Sequence, residues 1–268
     1  LSLPAQRLSN RRQWRSIEDW LVLSFPGETC RATVHAVEHH EEPLASAFLV
    51  SPFEQVAVDS VDGSGDSHSA AWGIGQGTRI DILDRVYFPH SLGVFYEALT
   101  QYLGFFNYGD EYKVMGLAPY GEPRFAKELQ RILQLEADGK YQLDTAYFTH
   151  AKAGANYEVR DGIPASGRLF SPALEALLGP ARQPDQALED RHRDLARSVQ
   201  VAYEDAFFNL LNALYKRTNC PAIALAGGCA NNSVANGKIY ERTPFVRAYV
   251  QSAGGDAGGA IGAAFAVW

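Results

Sequence analysis

The chain has 268 residues, 46% of them hydrophobic, and carries 24 Lys and Arg against 31 Asp and Glu for a net charge of −7. That length and apolar content suffice for a substantial core, in one large domain or two lobes. The acidic balance argues against nucleic acid as a partner, since phosphate backbones need clustered Lys and Arg, and the densest basic run, residues 191–197, is broken by Asp194 and reads as a solvated helical face.

In chain order, Arg7, Arg11, Arg12 and Arg15 precede no apolar stretch of the kind a secretory signal carries. No apolar run anywhere approaches the roughly 20 residues of a bilayer span, so a cytoplasmic location is expected. An amphipathic helix is expected over residues 14–23, closed by Pro26-Gly27. Residues 56–61 read as a short buried strand. The following Asp62-Gly63-Ser64-Gly65 is either a β-turn or a glycine-bearing turn whose backbone N–H groups face an anion. Residues 70–74 and 78–87 alternate as an antiparallel pair joined at Gly75-Gln76-Gly77. Residues 92–103 have apolar side chains at helical spacing. They lead into residues 109–121, where charge, an aromatic pair and glycines mix as in a site, ending in Pro119-Tyr120-Gly121, which cannot continue a helix.

Residues 122–190 have mixed polarity with scattered Gly and Pro and are expected to be a substrate-facing insertion. A helix over 194–215, a buried strand over 222–225, a helix over 232–240, a strand over 245–250 and a small-residue helix over 257–267 follow. Strand, Gly-rich turn and helix thus occur twice in the last third, which predicts an α/β arrangement with its ligand at the carboxyl ends of the strands. Cys30, Cys220 and Cys229 show no paired spacing, which fits buried thiols in a reducing compartment and argues against a zinc–cysteine site.

Four blocks resemble a known family in the right order. They are Glu38-His39-His40 with Ala45-Ser46-Ala47-Phe48, Ser51-Pro52-Phe53 and Val61-Asp62-Gly63; the segment 109–121; residues 227–238; and residues 255–264. The chain is identified by them as resembling the carbamoyltransferase family that includes the nodulation carbamoyltransferases and those of tobramycin and cephamycin biosynthesis. The resemblance implies the two-lobed actin-like, sugar-kinase and Hsp70-like ATPase (ribonuclease H-like) architecture. Family members also share an earlier first strand and hairpin and a downstream YrdC-like domain. Neither is recognisable in this sequence, so the resemblance implies a piece of a longer protein, a partial actin-like domain whose catalytic base lies outside it.

The resemblance further implies ATP-dependent O-carbamoyl transfer, with carbamoyl phosphate as donor and carbamoyl-adenylate as the transferred form. Residues 86–96 and 109–121 look closest to the nodulation carbamoyltransferases, implying a lipochitooligosaccharide sugar hydroxyl as acceptor, with an antibiotic hydroxyl as runner-up. His39, Asp62 and Asp256 match the family's metal-holding positions, a set suited to Fe(II), Mn or Zn. The family's usual segment carries a further imidazole where this chain has Pro43, and His35 could replace it only in a helix. Gly63, Gly65, Lys113, Gly227, Gly228, Asn232, Asn236 and Gly255 are the expected nucleotide-binding residues. The residues alone leave Lys113 equally open to an ion pair with Asp110 or Glu111, Asn232 and Asp256 to helix capping, and Tyr112 and Tyr120 to structural packing. A non-catalytic nucleotide-binding lobe and, more distantly, a sugar kinase are the competing functions.

Overall fold

The computed structural model describes residues 17–29, 31–153, 157–160 and 163–268. It divides into two compact units, one made chiefly of residues 1–37 and the other chiefly of residues 38–266. In the first, the expected amphipathic helix begins among the described residues as α1 (Ile17–Ser24), with Trp20, Val22 and Leu23 exposed. Cys30, residues 14–16 and the four amino-terminal arginines lie outside the described residues.

The second unit begins with α2 (Glu41–Phe48). A three-stranded antiparallel meander follows, β1 (Gln55–Gly65), β2 (His68–Gln76) and β3 (Arg79–Tyr87). Next come α3 (Leu92–Tyr102), α4 (Glu111–Leu117) with a 3-10 turn at Ala118–Tyr120, and α5 (Ala126–Ile132). The region of the expected insertion holds two small hairpins, β4 (Leu133–Leu135) with β5 (Tyr141–Leu143) and β6 (Tyr157–Arg160) with β7 (Ile163–Ser166), together with α6 (His150–Ala153) and α7 (Pro172–Leu178). The long α8 (Asp190–Thr218), β8 (Ala222–Ala226), a 3-10 turn at Gly228–Asn231, α9 (Ser233–Asn236), α10 (Ile239–Arg242), β9 (Arg247–Val250) and α11 (Asp256–Val267) complete it.

The main sheet runs β3-β2-β1-β8-β9, with β8 parallel to β1 and β9 parallel to β8. The class is therefore mixed α/β. Residues 56–61 of β1 and all of β8 are buried, which requires cover on both faces of the sheet. α2 packs on β1, β2 and β8, while α3 and α8 pack on β1. α8 starts at a capping box in which Glu189 and His192 satisfy each other's backbone N–H, and it stops at Asn219 in the left-handed conformation.

Two local expectations are overturned. Asp62-Gly63-Ser64-Gly65 is not a turn: it extends β1, across a register shift after Val61, and the chain reverses only between Gly65 and His68. The helix expected over 232–240 is two short helices, α9 and α10, broken at Gly237-Lys238.

Candidate active site

β1, β8 and β9 are parallel, so their carboxyl ends open on the same edge of the sheet. A cleft of about 650 Å³ lies there. Asp62 enters it from the end of β1, residues 228–232 from the turn after β8, and Gly255 and Asp256 from the start of α11, while His39 arrives from the residues before α2.

His39 Nε2 stands 3.8 Å from Asp62 Oδ2 and 4.0 Å from Asp256 Oδ1. These distances are too long for hydrogen bonds, and the three side chains offer donor atoms that all lie within 4.8 Å of one another. Asp62 Oδ2 is buried without a hydrogen-bond partner, while Asp62 Oδ1 accepts from the Gly63 amide at 2.7 Å. An orphaned carboxylate oxygen facing an imidazole and a second carboxylate fits a divalent cation. Burial pushes the Asp62 carboxyl up, but His39 and the Gly63 and Gly228 amides outweigh it and hold the group below its ordinary value. Asp62 in turn raises His39 against its burial, with Asp256 and Glu42 adding.

Two glycines shape this corner. A Cβ on Gly65 would lie 1.8 Å from His39 Cδ2, so the bare strand is the floor on which the imidazole rests. Gly93, near the start of α3, packs against Gly63, where a Cβ would come within 2.7 Å of the backbone. Ser91 caps that helix by accepting from the Val94 N–H at 3.0 Å and donates to the carbonyl oxygens of Asp62 and Gly63.

Of the other expected residues, Gly63, Gly228, Asn232 and Gly255 line the cleft, and Gly65, Lys113, Gly227 and Asn236 do not. Lys113 Nζ is 2.7 Å from Asp110 Oδ1, an ion pair within the segment itself. Gly227 has φ +86°, and a Cβ there would stand 2.2 Å from the Val61 carbonyl oxygen, so it serves the close approach of the β8 turn to β1. Asn236 turns inward to donate to the Ala230 carbonyl at 2.6 Å. Asn232 caps α9 by accepting from the Ala235 N–H at 3.0 Å and exchanges two hydrogen bonds with Gln200. Asp256 is not a cap: Gly255 holds that position, and the Asp256 side chain is 75% exposed. Tyr112 and Tyr120 are both exposed, and Tyr112 lines the cleft.

Pro43 sits in the first turn of α2, where its missing N–H would have no partner within the helix, so it leaves the helix intact. Residues 31–38 carry no helix, which removes the condition under which His35 was to replace the imidazole.

Glu111 and Met115 lie in the segment 109–121 that reads as a site and Tyr96 in the segment 86–96 that carries the acceptor resemblance, while Glu97, Tyr108 and Tyr203 are lining residues the sequence did not point to. Glu97 had a readable signal, an acidic residue one turn after Gly93 on an otherwise buried stretch of α3. Its Oε1 accepts from Ser166 Oγ at 2.5 Å, and burial raises its carboxyl, with the Ser166 bond opposing and Glu111 adding. Glu111 is likewise raised by burial. Among the described residues the lining has no Lys or Arg, and beside the carboxylates of Asp62, Glu97, Glu111 and Asp256 His39 is its one basic side chain.

Comparison with known proteins agrees with the pattern of blocks. The family profile described as "Carbamoyltransferase N-terminus" matches residues 23–265. An uncharacterized protein of Synechocystis sp. is 41% identical over 232 residues, covering 86% of this chain and 36% of that protein. Nodulation protein NolO of Bradyrhizobium diazoefficiens is 36% identical over 234 residues, 86% of this chain and 38% of that protein. A crystal structure of HypF from T. kodakarensis superposes with a TM-score of 0.39 at 18% identity, over 85% of this chain and 36% of that one. The chain thus spans little more than a third of the length of the relatives it matches. With the amino-terminal profile matched over nearly all its residues, the chain belongs to the carbamoyltransferase family.

Proposed function

We propose that this chain supplies the transferase portion of an ATP-dependent O-carbamoyltransferase, which passes a carbamoyl group from carbamoyl-adenylate to a sugar hydroxyl. The observation that carries the reading is the meeting of His39, Asp62, Gly228, Asn232 and Asp256, drawn from three separate sequence blocks, on one cleft. His39, Asp62 and Asp256 would hold a divalent ion, Fe(II), Mn or Zn. Bound there, the ion would supply positive charge for adenylate oxygens, which no Lys or Arg supplies among the described lining residues.

The chain's own groups then position the reactants. The space over Gly63 and Gly255 is open, since a Cβ at either would meet nothing within 4 Å, and the backbone there is accessible to a phosphate. Tyr108 and Tyr112 offer ring faces to a base or sugar, and Glu97 and Glu111 accept hydrogen bonds from hydroxyls. The acceptor oxygen forms its bond to the carbamoyl carbon as the bond from that carbon to the adenylate oxygen breaks, and AMP leaves as an anion. The acceptor's proton passes to a base that this reading does not assign to the chain.

The same reading takes the fold as actin-like, in keeping with an antiparallel meander continued by two parallel strands and with ligand groups at the strands' carboxyl ends. A separate, downstream YrdC-like domain making the adenylate from carbamoyl phosphate and ATP, and a cytoplasmic location, belong to that proposal. Among the described residues no helix is long and apolar enough to cross a membrane.

Incubated with carbamoyl-adenylate and a chitooligosaccharide, the protein should release AMP only when the acceptor is present. AMP release indifferent to the acceptor would overturn the transfer reading. Binding of AMP without any turnover would favour a non-catalytic nucleotide-binding lobe, the alternative to which Pro43 at the imidazole position points.

A further inference from the structure

Position 43 contributes no donor, because the side chain of Pro43, buried in the first turn of α2, has no ligating atom. His39, Asp62 and Asp256 then provide three donor atoms, few for a cation that prefers oxygen ligands. His40 is no substitute: it is fully buried, its Nδ1 pairs with Ser60 Oγ at 3.2 Å, and it does not line the cleft.

Glu42 is the neighbour with a free carboxylate. It sits on the same first turn of α2, three residues after His39, and its Oε2 lies against Gly259 of α11, where a Cβ would stand 2.9 Å away. Gly259 is about one helical turn beyond Asp256. The Glu42 side chain makes no hydrogen bond or ion pair among the described residues, yet it is near enough to feel the charges of both His39 and Asp256. A partly buried carboxylate set against a bare glycine, with no hydrogen bond or ion pair among the described residues, is poorly compensated.

We propose that Glu42 is the fourth protein ligand of the cation held by His39, Asp62 and Asp256, in place of the imidazole that Pro43 removes. The inference rests on the metal reading of the cleft given above. Glu42 is outside the set of donors within 4.8 Å, so its side chain turns toward Asp256 on binding, for which bare Gly259 leaves room. One imidazole with three carboxylates is a harder donor set than two imidazoles with two carboxylates, and it shifts relative preference from Zn(II) toward Mn(II).

Mn(II) titration of the purified protein, followed by the paramagnetic resonance of the free ion and by calorimetry, tests this without any turnover. Glu42→Gln, which keeps size and shape, should lower Mn(II) affinity at least about tenfold, a loss seen even for residues one step removed from a metal, with an unchanged thermal melt. Adding Pro43→His to Glu42→Gln should restore binding with Zn(II) now favoured more than in the unaltered protein. Equal Mn(II) affinity in Glu42→Gln and the unaltered protein, with binding abolished by Asp62→Asn, would overturn the role of Glu42 and leave the metal site standing. An unaltered protein that binds no Mn(II) would overturn both.

Discussion

At the scale of single residues, the side chains that matter most in the cleft are placed by glycines beneath them. His39 can lie between Asp62 and Asp256 because Gly65 offers no Cβ at the point where its ring rests. Gly65→Ala is therefore expected to displace the imidazole, weakening Mn(II) binding at least about tenfold and costing about 1–3 kcal/mol of stability through overpacking. Calorimetric titration beside a urea melt checks it, and unchanged Mn(II) affinity in a folded variant would refute it. This role is not legible in the sequence, where Gly65 reads as an anion-facing residue, because a glycine does not say which neighbour needs its space. The same applies to Lys113 and Asn236, whose types suit a nucleotide but whose partners are Asp110 and the Ala230 carbonyl; Asn232 lines the cleft while it also pairs with Gln200. For Lys113 and Asn232 the structural alternative, ion pair or helix cap, was readable from spacing alone.

At the scale of elements, α2 and α11 meet where glycine is required. A Cβ on Gly262 would fall 1.7 Å from the Glu42 carbonyl oxygen and 2.8 Å from the Ser46 nitrogen, so the helices touch backbone to backbone. Gly262→Ala should force them apart and destabilise the fold by about 1–3 kcal/mol. A chemical-denaturation midpoint indistinguishable from that of the unaltered protein would count against the close contact. The small-residue character of α11 was legible and so was its helicity, because alanine-rich stretches after an acidic residue favour helix. The length of β1 was not. Asp, Gly and Ser are turn residues by local preference, but the pairings of Val61 with Ala70 and of Gly65 with His68 on β2 bracket residues 62–64, and Gly93 of α3 packs against Gly63, so the stretch continues the strand. α8 outran its expected bounds at both ends for a similar reason, since its capping box and its left-handed terminus fall on polar residues that periodicity does not count.

At the scale of the whole molecule, the charge of the cleft decides how an anionic nucleotide could enter it. With four carboxylates and no Lys or Arg among the described lining residues, an adenylate would be repelled unless a cation accompanies it. AMP should accordingly bind in the presence of Mn(II) and lose most of its affinity in EDTA, by calorimetry at fixed ionic strength, and AMP affinity indifferent to chelation would sink this account. The sequence by itself determined the α/β class, the strand–turn–helix order of the last third and the family, because hydrophobic periodicity and short ordered motifs are properties of the linear chain. Only the tertiary structure decided that β8 lies parallel beside β1, and thereby that His39, Asp62 and Asp256, more than two hundred residues apart at the extremes, face one another within 4.8 Å. The physical reason is that a parallel sheet gathers the ends of strands distant in sequence onto one edge, a juxtaposition that no local pattern encodes.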